Sequence, residues 1–138
     1  MWQVDEMKVI ATYNLKGGVG KTATAVNLAY LAASSGLRTL IWDLDAQGAA
    51  SFYLRVQPRL SGGAAELIED RRNLSRAIRA TDYDRLDLVP ADFSYRNLDL
   101  ELNDYKKSTV RLRKLLREVE NDYDLVFLDC APSMSIVS

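Results

Sequence analysis

Apolar residues follow two rhythms along the chain. Short segments rich in apolar residues occupy 8–13, 37–42, 86–89 and 124–129. Rich in Val, Ile, Leu and aromatics, they read as strands buried on both faces of a parallel sheet. Between them the spacing turns helical. Ala25, Leu28, Ala29 and Ala32 predict a helix over residues 22–35 with Gly36 as its stop, and Leu112, Leu115, Leu116 and Val119 predict one over 108–120. Weaker patterns suggest helices over 64–70, 74–80 and 93–102, and a mobile loop over 46–63 with one helical turn at 51–54. Residues 1–7 have no periodicity and read as a short, frayed lead-in. The alternation of strands and helices predicts an α/β fold, a doubly wound parallel sheet, with residues 8–138 in one domain.

Composition narrows this only slightly. In 138 residues, 48% hydrophobic and 27% charged content describes an ordinary globular chain. A formal net charge of −1 argues against a globally basic nucleic-acid binder, while leaving room for a local patch. The cations of the last long helix, Lys107, Arg111 and Lys114, read as a solvated face. The absence of histidine excludes histidine catalysis and histidine metal sites. A single cysteine, Cys130, excludes an internal disulfide and fits a buried, inert thiol in a reducing compartment. No apolar run reaches the ~20 residues of a membrane span and no leader pattern precedes Met7, so a cytoplasmic protein is expected.

The candidate chemistry follows the ends of three of the four strands. Lys16-Gly17-Gly18-Val19-Gly20-Lys21-Thr22, leading into Ala23 and a helix, is a phosphate cradle: glycines let backbone N–H groups converge on phosphate oxygens. Lys21 is placed to reach the β- and γ-phosphates of ATP, and the Thr22 hydroxyl to bind Mg²⁺ at the helix N-terminus. The second run ends in Asp43-Leu44-Asp45-Ala46-Gln47-Gly48, two carboxylates two residues apart, suited to an outer-shell metal contact and to positioning or deprotonating water. Asp129, at the tip of the fourth run, suits magnesium binding through water. In doubly wound sheets ligands bind outside the carboxyl ends of the strands, where all three elements meet.

The usual phosphate loop carries a glycine where this chain has Leu15, and it lacks a lysine at the place of Lys16. The stretch resembles the deviant Walker A motif of the ParA/MinD group of P-loop ATPases. Asp43 to Ala49 is similar to the D-x-D-P-Q-G-N of ParA-type partition ATPases, with Ala46 for proline and Ala49 for asparagine. Asp129-Cys130-Ala131-Pro132-Ser133 resembles the group's D-C-P-P-S. The Gln-Gly pair points towards ParA, Soj-like chromosome or plasmid partition ATPases, rather than MinD, and the resemblance runs in order from Lys8 onward.

That resemblance implies a SIMIBI-type, ParA-like P-loop NTPase fold and an ATP- and magnesium-dependent, slowly hydrolysing partition ATPase. Lys16 would act across an ATP-dependent homodimer, Lys16 and Asp45 would be catalytic, and Thr22, Asp43, Asp45 and Asp129 would surround the metal. Non-specific DNA, a centromere-binding or other activator protein, and nucleoid association are implied in the same way. The alternatives are a non-hydrolysing nucleotide-gated scaffold and a MinD-like membrane-positioning ATPase. Later strands cover the first strand's free edge in this class, and a later loop holds adenine. The chain is therefore expected to be an incomplete domain that binds nucleotide weakly and tends to associate.

Overall fold

The computed structural model describes residues 2–4, 6–13, 19–68, 73–95 and 105–131. Six strands form one sheet: β1 (Trp2–Val4), β2 (Met7–Tyr13), β3 (Thr39–Leu44), β4 (Arg79–Ala80), β5 (Leu86–Val89) and β6 (Leu125–Cys130). Their order across the sheet is β1-β2-β6-β3-β5-β4. The four central strands run parallel, and β1 and β4 add antiparallel edges. The strand that carries Asp129, β6, thus lies directly beside β2.

Side chains alternate between the two faces, and each face has its own core. Ile41, Leu86, Leu88 and Phe127 pack with Ala29 and Ala33 of helix α1 (Val19–Ser34) and with Ala50 of helix α2 (Ala49–Tyr53). On the other face Leu40, Trp42, Leu44, Val126 and Leu128 share a core with Leu67 of helix α3 (Gly63–Ile68) and Leu112, Leu115, Leu116 and Val119 of helix α4 (Tyr105–Arg117). There Trp42 Nε1 donates to the hydroxyl of Tyr95 at 3.1 Å, satisfying two polar atoms that burial would otherwise strand. The result is the doubly wound layering that the alternation predicted.

Several predicted elements differ. The segment taken as a lead-in contains β1, which pairs Trp2 with Val9 and Val4 with Met7; three residues are too short to show a period. The helix predicted over 74–80 is a single 3-10 turn, Leu74–Ala77, followed by β4, because Ile78 turns to an extended backbone (ψ 135°). Helix α1 starts at Val19, inside the stretch read as loop, and ends as predicted. Gly36 sits at φ 101°, with Gly36 N–H donating to Ala33 and Leu37 N–H to Ala32, a left-handed cap that glycine adopts without strain. Its buried stripe is Ala25, Ala29 and Ala33, while Leu28 is 48% exposed. Alanines let this helix lie close on the sheet, and that rotates the larger side chain outward. Of the helix predicted over 93–102, residues 96–102 lie outside the described residues.

Candidate nucleotide site

Register builds the site. Thr12 of β2, Asp129 of β6 and Asp43 of β3 are direct neighbours across the sheet, so their side chains leave the same face near the carboxyl ends of the strands. That face carries α1. Thr22, in the second turn of α1, is buried, and its hydroxyl donates to Asp129 Oδ2 at 3.0 Å. The Thr12 hydroxyl faces Leu128 O at 3.2 Å and Asp129 Oδ1 at 3.4 Å, and its single proton goes to one or the other.

Asp43 is fully buried and turned inward. Its Oδ2 accepts from the N–H (3.0 Å) and the hydroxyl (2.8 Å) of Ser51, and its Oδ1 from Asp45 N–H at 3.2 Å. These bonds fasten the loop after β3 to α2. Asp45 is 9% exposed, and its Oδ1 accepts from Gln47 N–H at 2.9 Å, an Asx turn that fixes the carboxylate at the loop's start. Gly48 then turns the chain at φ 69° into α2.

Burial pushes the Asp129 carboxyl up to about 6; the Thr22 bond opposes the rise, and the nearby Asp45 charge adds to it. Burial likewise raises Asp43 to about 7 against its Ser51 donors, with Asp129 contributing repulsion. Carboxylates gathered this way favour a cation. A hydroxyl and a carboxylate oxygen in contact are hard oxygen donors of the kind magnesium takes, and magnesium is ordinarily held by one or two such groups together with water and phosphate oxygens. Thr22 and Asp129 therefore fit that ion. Among the described residues no group of three or more Asp, Glu, Cys or His forms a ready-made cage.

Of the residues singled out in the sequence, Thr22, Asp43, Asp45 and Asp129 converge here. Val19, Gly20 and Lys21 form the first turn of α1, and Ala23 follows half-buried. Lys16, Gly17 and Gly18 lie outside the described residues. Two contributors escaped the sequence reading. Thr12 could have been found from its place at the end of a buried strand, where a hydroxyl is out of character. Ser51 had no signal, since it sits eight residues past Asp43 in a run of small residues. Cys130 is buried in the opposite core, and burial raises its thiol pKa, in keeping with an inert role.

A parallel sheet, a glycine-rich sequence between one central strand and its helix, and an aspartate near the end of the neighbouring strand on the hydroxyl of that helix define a P-loop nucleotide-binding protein. The family profile described as "AAA domain" matches residues 7–138, and the chain belongs to that family, within the ParA/MinD-type P-loop ATPases. It is 35% identical over 132 residues to the sporulation initiation inhibitor protein Soj of Bacillus subtilis (strain 168), covering 95% of this chain and 52% of that protein. To the chromosome partitioning protein ParA of Myxococcus xanthus it is 36% identical over 132 residues, covering 95% and 47%. The chain spans about half the length of the curated relatives it matches. Among solved structures, cobyrinic acid a,c-diamide synthase from Mycobacterium smegmatis with bound ADP and magnesium superposes with a TM-score of 0.81 at 31% identity, over 91% of this chain and 51% of that one. An McdA–ATP complex from Cyanothece gives 0.80 at 26% identity, over 94% and 52%.

Proposed function

We propose that this chain is the nucleotide-binding part of a ParA-like partition ATPase, which binds ATP with magnesium, dimerises on ATP and hydrolyses it slowly to move or position DNA or another large cargo. The observation that carries this reading is the 3.0 Å bond from Thr22 to Asp129, which joins the helix that follows the glycine-rich sequence to the aspartate near the end of β6. In this reading Thr22 and Asp129 hold the metal, which when bound neutralises charge on the β- and γ-phosphate oxygens. The backbone from Lys16 to Ala23 cradles the phosphates, and Lys21 offsets their charge. Asp45 orients the attacking water and receives its proton. Asp43, spent on Ser51 and Asp45 N–H, supports the metal contact only by holding this loop in place. Lys16 reaches the nucleotide of a second subunit. DNA, an activator protein and a place on the nucleoid in the cytoplasm enter through the likeness to partition proteins. Among the described residues no helix is long and apolar enough to cross a membrane.

The test is a pair of variants read by calorimetry and by phosphate release. Lys21→Ala should abolish ATP binding. Asp45→Ala should bind ATP as the parent does and lose turnover by about 10²-fold or more, the scale of a lost general base. Turnover at the parent rate in Asp45→Ala would sink the assignment of that carboxylate. A parent that binds ATP and never releases phosphate, with or without DNA, would leave a nucleotide-gated scaffold instead.

A further inference from the structure

A groove opens at the far edge of the sheet from β1, between the α2–α3 connection and strand β4. It encloses about 540 Å³ and is lined by Arg55, Gln57, Arg59, Ser61 and Arg79 together with the apolar Val56 and Ala80, and more polar than apolar surface faces it. We propose that this groove is a second anion site, separate from the nucleotide site, which takes the phosphate groups of a polyanion.

Three observations carry it. First, folding brings three guanidinium groups together from two stretches of chain. Among the described residues none of the three has an ion-pair partner within 4.0 Å, in a molecule whose net charge is −1. Asp92, the carboxylate that feels Arg59, has its oxygens occupied by Leu60 N–H at 2.7 Å and by Ser94 N–H and hydroxyl at 2.9 and 2.6 Å. Second, Arg55 stands in the left-handed region at φ 58°. Its N–H donates to Phe52 O (3.1 Å) and Val56 N–H to Ser51 O (2.9 Å), the helix-ending pattern in which glycine is the usual occupant. This cap fixes the backbone from which the Arg55 side chain lines the groove. Third, Arg79 projects from a two-residue edge strand paired with β5 alone among the described residues, so the groove is open along its length. Planar guanidinium forks match phosphate oxygens two at a time, and the Gln57 side chain adds a neutral donor.

The groove lies three strands from Asp129, roughly 14 Å at the usual strand spacing, so it does not share the ATP phosphates. It also does not depend on how Asp45 or Lys16 acts. Phosphate could come from free pyrophosphate-like ions or from a phosphodiester backbone. An open groove with three cations favours the backbone, which presents several phosphates in a row.

The experiment measures anisotropy of a labelled mixed-sequence duplex across a salt series, with pyrophosphate and poly-glutamate as competitors. The proteins are the parent, Arg55→Gly and the Arg59→Glu/Arg79→Glu double variant. Arg55→Gly removes a charge while relieving the backbone, so it keeps the fold. ATP affinity, measured in parallel, reports separately on the nucleotide site. The double variant should bind duplex at least about tenfold more weakly at low salt, with a slope of log K against log salt shallower by about two, and Arg55→Gly should be shallower by about one. Displacement of the duplex by pyrophosphate at low concentration would assign the site to free phosphate, and resistance would assign it to the backbone; either upholds a phosphate site. Equal duplex binding by parent and variants, no binding by the parent of duplex or pyrophosphate, or poly-glutamate competing as well as duplex at equal charge would each overturn it.

Discussion

One hydroxyl, that of Ser51, joins two stretches of chain that the site depends on. It donates to Asp43 Oδ2 and accepts from Ala91 N–H at 3.0 Å, so the loop after β3 and the chain after β5 meet at a single buried oxygen. Ser51→Ala would leave Ala91 N–H without its acceptor and Asp43 with one donor fewer on Oδ2. The expected loss is about 1–3 kcal/mol, the cost of stranding buried polar groups, read from urea unfolding. Asp43 and Asp129 also give stability a pH dependence. Their folded pKa values, about 7 and about 6, lie above the 3.8 of a free aspartate. Between about pH 4 and 7 the folded chain therefore holds more protons than the unfolded one, and its stability falls as pH rises through that window, levelling above it. Asp92 and Asp124, whose carboxyls are held below 3.8, act in the opposite sense and at lower pH. Urea midpoints for the nucleotide-free, magnesium-free protein should thus decline from pH 5 to 7, less so in Asp129→Asn; a rise over that interval would contradict the origin given to the shifts.

At the scale of elements, the helical turn read over 51–54 is helix α2, and what the sequence did not reveal is its role. Five residues rich in alanine and preceded by glycine offer no stripe to read, yet α2 fastens Asp43 and directs Arg55. Its entrance is tightly built. A Cβ on Gly48 would come within 3.1 Å of Pro58 Cβ, at a φ of 69°. Gly48→Ala should cost about 1–2 kcal/mol for the left-handed backbone alone and loosen the Asp45 turn, which thermal melting and hydrogen exchange at Gln47 would register. By contrast β2, β3, β5 and β6 were legible, because short β-rich apolar segments bounded by turn residues have few other uses in a chain of this polarity. Helix α4 was legible from its leucine stripe. The edge strands β1 and β4 were not, since two or three residues carry no rhythm and their pairing is decided by the strand beside them. The carboxylates at the strand tips could be read for position. Their orientation could not, and only tertiary contacts show that Asp43 turns inward to Ser51 while Asp129 meets Thr22.

For the whole molecule, the prediction concerns assembly. If Lys16 serves the partner's nucleotide, Lys16→Ala should retain ATP binding and lose both ATP-dependent dimerisation and hydrolysis, a joint loss that light scattering and phosphate release can follow together. A variant that still pairs and turns over ATP would place this lysine in cis. The three-strand row of Thr12, Asp129 and Asp43 has a further consequence. Because neighbouring residues on a strand point to opposite faces, sliding β6 by one position would send Asp129 into the leucine-filled layer and present Leu128 or Cys130 to Thr22. No partly correct alignment exists: the sheet closes with its chemistry assembled or it closes wrongly. Inserting or deleting one residue within β6 should therefore be far more harmful than any conservative replacement there, and natural variation in length should fall in connections between elements that leave this alignment undisturbed.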